Sequence, residues 1–144
     1  MSRSQGVPAV LVASLGLGVV LGACGTQKSP TEPSDVPDPT ATFARVQAEV
    51  FTPSCALSGC HAGPNPQQGQ DLSAGRAYSQ IVNVRSAESS RLRIAPGDPD
   101  ASYLISKVKG DATITGNRMP PGSALSPDEV QLLVDWVRRG APND

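Results

Sequence analysis

The sequence predicts an all-α domain with long loops, and three observations lead to this prediction. Two segments in the second half of the chain, around Leu104 and Leu133, combine helix caps with apolar residues at helical spacing. No segment shows the alternation of apolar and polar residues that is expected of a half-buried strand. Residues 62–72, AGPNPQQGQDL, are a loop by composition. Together these observations favour short helices joined by irregular chain.

The last helix has the strongest signals. Ser126 and Glu129 form a capping box around Pro127, and Gly140 is expected to end the helix. The apolar stripe of this helix and its flanks consist of Val130, Leu132, Leu133, Val134, Trp136 and Val137.

The preceding helix is predicted to begin at Asp98, which can act as its N-cap. Pro99 then occupies the first helical position and Asp100 places an acid in the first turn. The stripe contains Leu104 and Val108, flanked by Tyr103 and Ile105, and Gly110 ends the helix.

Two shorter helices are predicted nearer the N-terminus. The first runs from Thr42 to about Phe51, because Phe43, Val46 and Val50 share one face; Pro53 is expected to stop it. The second covers Ala74 to Val82, where the shared face is formed by Ala77, Tyr78 and Ile81.

The first 24 residues are typical of a secretory signal peptide. Arg3 is the only charge before Cys24, and the apolar run from Val7 to Leu21 is shorter than the roughly 20 residues of a spanning helix. The ending Leu-Gly-Ala-Cys resembles the lipobox of bacterial lipoproteins, in which Cys24 is lipidated. We therefore expect an exported lipoprotein, periplasmic or at the outer membrane, anchored to the membrane at Cys24. The alternative is an ordinary secreted protein with Cys24 free.

Residues 25–41, GTQKSPTEPSDVPDPTA, are predicted to be a Pro-rich tether, because they lack the apolar side chains needed for a core. The folded domain is then expected over residues 42–144. The chain carries 12 Lys and Arg against 13 Asp and Glu, and removal of the leader takes away Arg3. This balance leaves no basic patch, so nucleic acid is not an expected partner.

The sequence CALSGCH at residues 55–61 concentrates the reactive side chains. In an exported protein, Cys55 and Cys60 are expected either to form a disulfide or to be captured by a cofactor. Covalent haem attachment needs two thiols followed directly by an imidazole, usually as C-x-x-C-H. Here the spacing is wider by two residues, and the small Ser58 and Gly59 make the wider loop inexpensive.

The composition leaves few candidates for a second iron ligand. His61 is the only histidine, and Met119 is the only methionine besides the initiator. A single Met is often core filler. Met119, however, lies in the loop sequence Asn-Arg-Met-Pro-Pro-Gly rather than on a helix stripe, and its prolines restrict the backbone that carries the thioether.

Residues 42–144 resemble a class I cytochrome c domain of exported bacterial proteins. The resemblance lies in the Cys-Cys-His motif, the Arg-Met-Pro-Pro loop, the tract at residues 96–104 (PGDPDASYL) and the capped last helix. It implies a cytochrome c-like fold of about four short helices around one haem, in which the first and last helices pack together. It also implies one covalent haem c per chain, thioether bonds from Cys55 and Cys60, and His61 and Met119 as axial ligands.

The resemblance implies two further roles. Gly63-Pro64 is similar to the loop that orients the proximal imidazole through a backbone carbonyl. Arg118, beside the distal ligand, and Arg91 and Arg93 are candidates to offset the haem propionates. For Arg91 and Arg93, solvated surface positions are an equal alternative.

The predicted function is membrane-anchored electron transfer to and from redox partner proteins, without substrate turnover. A thioether ligand favours ferrous iron, so a relatively high potential is expected. The alternative is a haem-free lipoprotein in which a Cys55–Cys60 disulfide staples a binding or structural module. Nucleophilic catalysis is disfavoured, because Cys60 and His61 are adjacent and the chain has no second histidine.

Overall fold

A computed structural model describes residues 36–144, and this range is helical without strands, in agreement with the predicted class. Its α-helices are α1 (Phe43–Val46), α2 (Ala77–Ile81), α3 (Tyr103–Lys109) and α4 (Pro127–Arg138). A π-helix, Gln47–Cys55, continues α1, and a short 3-10 turn covers Gln67–Gly69. No helix in the described range is both long and apolar enough to cross a membrane. The predicted signal peptide, Cys24 and the first part of the tether lie outside the described residues.

The first helix continues past Pro53, so the predicted stop is wrong. Thr42 caps α1 by accepting a hydrogen bond from the backbone N–H of Arg45 at 3.2 Å. The chain then widens into the π-helix, where the N–H of Ala56 donates to the carbonyl of Phe51, five residues earlier, at 2.7 Å. Proline disrupts an α-helix through its ring and the carbonyl four residues back, and a wider turn relieves that contact. The helix can therefore continue past Pro53, and it ends at Cys55.

The start of α3 also differs from the prediction. Asp98 caps a turn instead, accepting from the N–H of Ala101 at 2.9 Å, and the helix begins at Tyr103. The N–H groups of Tyr103 and Leu104 donate to the carbonyls of Leu92 and Arg93 at 2.8 and 3.0 Å. A distant segment thus satisfies the free donors of the helix N-terminus. Gly110 ends α3 in the left-handed conformation, as predicted.

The capping box of α4 is confirmed. Ser126 Oγ accepts from the N–H of Glu129 at 3.2 Å, and the Glu129 carboxylate accepts from the N–H of Ser126 at 2.7 Å. α2 is shorter than predicted, beginning at Ala77, and it follows Gly75, whose φ is +79°.

An aromatic cluster joins α1, the π-helix, α2 and α4. The Phe43 ring lies 5.4 Å from that of Trp136, 5.2 Å from that of Tyr78 and 6.4 Å from that of Phe51, measured between ring centroids. The indole N–H of this cluster has a backbone partner, because Trp136 Nε1 donates to the carbonyl of Pro142 at 2.9 Å. The first and last helices of the described range therefore pack together.

The segment before α1 is tied to the chain after α4. Ala41, at the end of the predicted tether, is completely buried, and its carbonyl accepts a hydrogen bond from the Arg139 guanidinium. The N–H of Phe43 donates to Asp144 Oδ1 at 2.9 Å, and that of Ala44 to the Asp144 carbonyl at 2.9 Å. Asp144 thus occupies two of the free donors at the start of α1.

Candidate functional site

The central cavity lies between the π-helix, α3, α4 and the loops that carry His61 and Met119. It opens to solvent. Its apolar wall is formed by Val50, Phe51, Leu72, Leu104, Val108 and Leu133. A mainly apolar lining with a small number of placed polar groups is typical of small-molecule and cofactor sites.

Three of the predicted site residues line this cavity together: Cys55, His61 and Met119. Cys60 lines the adjoining recess, which shares Cys55, His61 and Met119 with the central cavity. The fold thus brings Met119 close to Cys55 and His61, although it follows His61 by 58 positions in the sequence. The recess also holds Leu57 and Pro120, so the widened cysteine loop and the proline loop contribute to the same opening.

His61 is oriented by the backbone of the following loop. Its Nδ1 atom lies 3.2 Å from the carbonyl oxygen of Gln70, close enough to donate a hydrogen bond. A proton on Nδ1 leaves the Nε2 lone pair available to a metal, which is the usual arrangement of a ligating histidine. The orienting carbonyl was expected at Gly63-Pro64, and the structure has Gln70 in this position.

The backbone around His61 is also fixed. Its N–H donates to the carbonyl of Cys55 at 3.2 Å, and its carbonyl accepts from the N–H of Leu72 at 2.7 Å. Gly59 makes the tight return of the cysteine loop possible, with φ at +81°, a value that favours glycine. These contacts hold the wider loop closed, so that Cys60 directly precedes a histidine whose backbone is fixed.

Cys55 and Cys60 are both free thiols in the structure, without a disulfide between them. Burial, together with the nearby Glu129 and Cys60, raises the pKa of Cys55 to about 11. A thiol with this pKa is protonated at neutral pH, so Cys55 is a poor nucleophile within the folded domain.

Met119 is fixed to α3 by its backbone. The N–H of Met119 donates to the carbonyl of Lys107 at 2.9 Å, one of the last carbonyls of the helix. Such carbonyls lack a partner within the helix and commonly accept from a following loop. The loop from residue 111 to 119, here called the Met119 loop, is thereby attached where its thioether can line the cavity.

Of the three candidate arginines, Arg93 is the one that lines the central cavity. It is only 7 % exposed, and its guanidinium donates to the carbonyls of Gln80 and Gln68, each at 2.8 Å. Burial lowers the pKa of Arg93 below its ordinary value, and the group stays protonated at neutral pH. A buried cation held by carbonyl oxygens on one side can receive an acidic group on the other.

The other two arginines lie elsewhere. The Arg91 guanidinium lies 5.0 Å from the centre of the Tyr103 ring and donates to Ser106 Oγ at 2.9 Å. The Arg118 side chain packs on Gly110, where an added Cβ would lie 2.8 Å from Arg118 Cδ. The structure thus gives Arg118 a contact with the end of α3 and does not bring it into the cavity.

Glu88, Tyr103 and Lys107 are among the polar residues of the cavity wall that were not singled out from the sequence as site residues. Tyr103 and Lys107 lie four residues apart on α3, and Glu88 reaches them from a preceding loop. The helical spacing places the first two on one face, but only the fold brings Glu88 to them. Tyr103 was predicted as a flank of a helix stripe, which does not distinguish a core aromatic from a site residue.

Within residues 36–144, no three His, Cys, Asp or Glu side chains come together as a metal-binding group. No protein-family model, curated protein or solved structure matches the chain. The chemistry of this site therefore rests on its own side chains: two thiols, one oriented imidazole, one thioether and one buried guanidinium.

Proposed function

We propose that this chain is a mono-haem c-type cytochrome with a cytochrome c-like fold that transfers electrons. The observation that carries the proposal is the meeting of Cys55, His61 and Met119 at one apolar cavity, with Cys60 in the adjoining recess. These are the side chains that attach a haem covalently and ligate its iron. They come from two separate regions of the sequence.

The residues present fit haem c in three respects. The Nδ1 contact to Gln70 leaves Nε2 of His61 free to ligate. The six apolar side chains of the wall match the apolar face of a porphyrin. Arg93 supplies a buried cation for a propionate, and its guanidinium already uses two of its donors on backbone carbonyls.

When bound, haem c supplies reversible one-electron chemistry at its iron. The role of the chain is to limit the contact of the haem with water and to supply the ligands of its iron. The apolar wall excludes water, which limits the rearrangement that accompanies a change of charge. The Met119 thioether favours the ferrous state, so we expect a relatively high potential. His61 and Met119 would both hold the iron, which would leave no position for a substrate and favours electron transfer over catalysis.

The proposal extends to the cell envelope. A lipid at Cys24 and the Pro-rich segment after it would hold the domain at the membrane surface of an exported protein. The redox partners would then be proteins of the same compartment, periplasmic or at the outer membrane.

Expression of the full chain with a c-type maturation system tests the proposal. We expect a haem stain that survives on a denaturing gel and a mass that increases by one haem. The matched control is the Cys55→Ala/Cys60→Ala variant, which should lose the stain while the Cys24→Ser variant keeps it.

A colourless protein would contradict the proposal. If that protein also showed a two-thiol change on reduction, the alternative of a disulfide-stapled lipoprotein module would take its place. The two outcomes are read from one preparation, because the stain and the thiol count use the same denatured sample.

A further inference from the structure

A largely buried ion pair lies in the wall of the central cavity. Lys107 Nζ lies 3.0 Å from Glu88 Oε2, and the two side chains are only 10 % and 21 % exposed. Tyr103 joins them, because its hydroxyl donates to the same carboxylate oxygen at 3.3 Å. Removal of one member of such a pair leaves the other charge without a partner in poorly solvated surroundings.

This cluster is attached to the Met119 loop at two points four residues apart. At the first point, Lys107 Nζ donates to the carbonyl of Thr115 at 2.7 Å, and the N–H of Thr115 donates to the Tyr103 hydroxyl at 2.9 Å. At the second point, the N–H of Met119 donates to the carbonyl of Lys107 at 2.9 Å. A single residue of α3 therefore holds both ends of the segment that leads to the thioether.

The other side-chain attachments of the Met119 loop are longer and exposed: Arg91 donates to Thr113 Oγ1 at 3.4 Å, and Thr115 Oγ1 donates to the Glu88 carbonyl at 3.3 Å. The loop contains no helix, and Ile114 and Met119 are its only residues that are not largely exposed. A loop that buries few apolar side chains of its own depends on polar attachments for its conformation. The attachments to the Lys107 and Tyr103 side chains are partly buried, whereas the loop that they hold is at the surface.

We propose that Glu88 and Lys107 are positioning residues that hold the Met119 thioether at the iron. Glu88 holds the Lys107 ammonium, and the ammonium in turn fixes the loop at Thr115, next to the attachment of Met119 to the Lys107 backbone carbonyl. This inference rests on the proposed function, because it concerns the axial ligand of the proposed haem. Neither residue touches the iron in this account, and both act through Met119.

Imidazole binding to the oxidised holoprotein tests the proposal, because added imidazole competes with Met119 for the same position on the iron. The main variant is Glu88→Gln/Lys107→Leu, which leaves no unpaired charge in the cavity wall. We expect its imidazole affinity to rise about tenfold or more, the scale typical of lost outer contacts to a metal ligand. Lys107→Arg keeps the cation and should stay closer to wild type than the double variant.

The control for general destabilisation is Thr42→Ala. It removes the cap of α1, which lies far along the chain from the Met119 loop, and should lower the free energy of unfolding. We expect this variant to bind imidazole with wild-type affinity. An affinity of the double variant within about twofold of wild type, or an equal rise in Thr42→Ala, would overturn the proposal.

Failure of the positioning role and failure of the proposed function are distinguishable. A wild-type protein without haem, or whose iron lacks the Met119 thioether, contradicts the proposed function before any variant is made. A wild-type protein with both, in which the double variant behaves normally, contradicts only the role of Glu88 and Lys107.

Discussion

His61 shows which features of the site can be predicted from the local sequence. Its place directly after Cys60, and its status as the only histidine, single it out in the sequence. Its orientation is a different matter, because the carbonyl beside Nδ1 belongs to Gln70, nine residues further on. A backbone carbonyl leaves no trace in residue type, so sequence reasoning could not identify this partner.

Arg93 and Arg91 provide a matched pair of tests for the cavity. Arg93→Gln removes a buried cation from the cavity wall, and a nearby cation favours the reduced state of the iron. We expect its reduction potential to fall by about 60 mV, a tenfold change in the one-electron equilibrium. Arg91→Gln alters a guanidinium that lies over Tyr103 instead and should remain near wild type. Equal shifts in both variants, measured by redox titration, would contradict this account.

Gly110 is expected to be sensitive to substitution for two separable reasons. Its φ of +77° is strained for alanine, and a Cβ there would lie 2.8 Å from Arg118 Cδ. Gly116 has a similar φ of +70°, but its added Cβ meets nothing within 4 Å. Each Ala variant should therefore lose about 1 kcal/mol from strain, with a further loss at Gly110 from the displaced side chain. Urea unfolding measures both, and equal losses would show that the Arg118 contact is unimportant.

At the scale of elements, local signals predicted the helices whose ends are local. The α4 cap lies within four residues, Ser126 to Glu129, and the structure contains both of its hydrogen bonds. The α3 start was wrong by several residues, because its free donors are taken by Leu92 and Arg93 rather than by the cap at Asp98. The continuation past Pro53 was missed for a similar reason: the widened π turn is selected by tertiary packing, which helix propensity does not describe.

Asp144 links stability to pH through the start of α1. The hydrogen bond from the N–H of Phe43, together with the contact to Arg139, holds the pKa of this carboxyl below its ordinary value of 3.8. The charged form therefore stabilises the folded state above that value, and the contribution is lost as the pH falls through the lower, folded pKa. Asp144→Asn should be less stable than wild type near neutral pH and about equally stable in acid. An unchanged difference in unfolding free energy at acid pH would contradict this assignment.

At the scale of the whole molecule, the sequence indicates a lipid anchor, a tether and one helical domain. The helical class of residues 36–144 is confirmed by the structure. The cavity and its polar wall could not be foreseen, because Glu88, Lys107 and the Met119 loop meet only in the folded chain. Composition did single out the two predicted axial ligands, since the chain has one histidine and one internal methionine.

The anchor is tested by fractionation of cells that express the full chain. We expect Cys24→Ser to move the protein from the membrane fraction to the soluble fraction, because the variant lacks the thiol predicted to carry the lipid. Cys55→Ser is the matched control, and it should stay with the membranes. Membrane association that survives Cys24→Ser would contradict the lipoprotein assignment.

The near-infrared spectrum of the oxidised holoprotein tests the central claim most directly. If His61 and Met119 ligate one haem iron, the wild-type protein shows a weak thioether–iron charge-transfer band, and Met119→Ala abolishes it while the covalent haem remains. Arg118→Ala, next in sequence but directed to Gly110, should keep the band. A band that survives Met119→Ala, or that is absent from the wild-type protein, would contradict ligation by Met119.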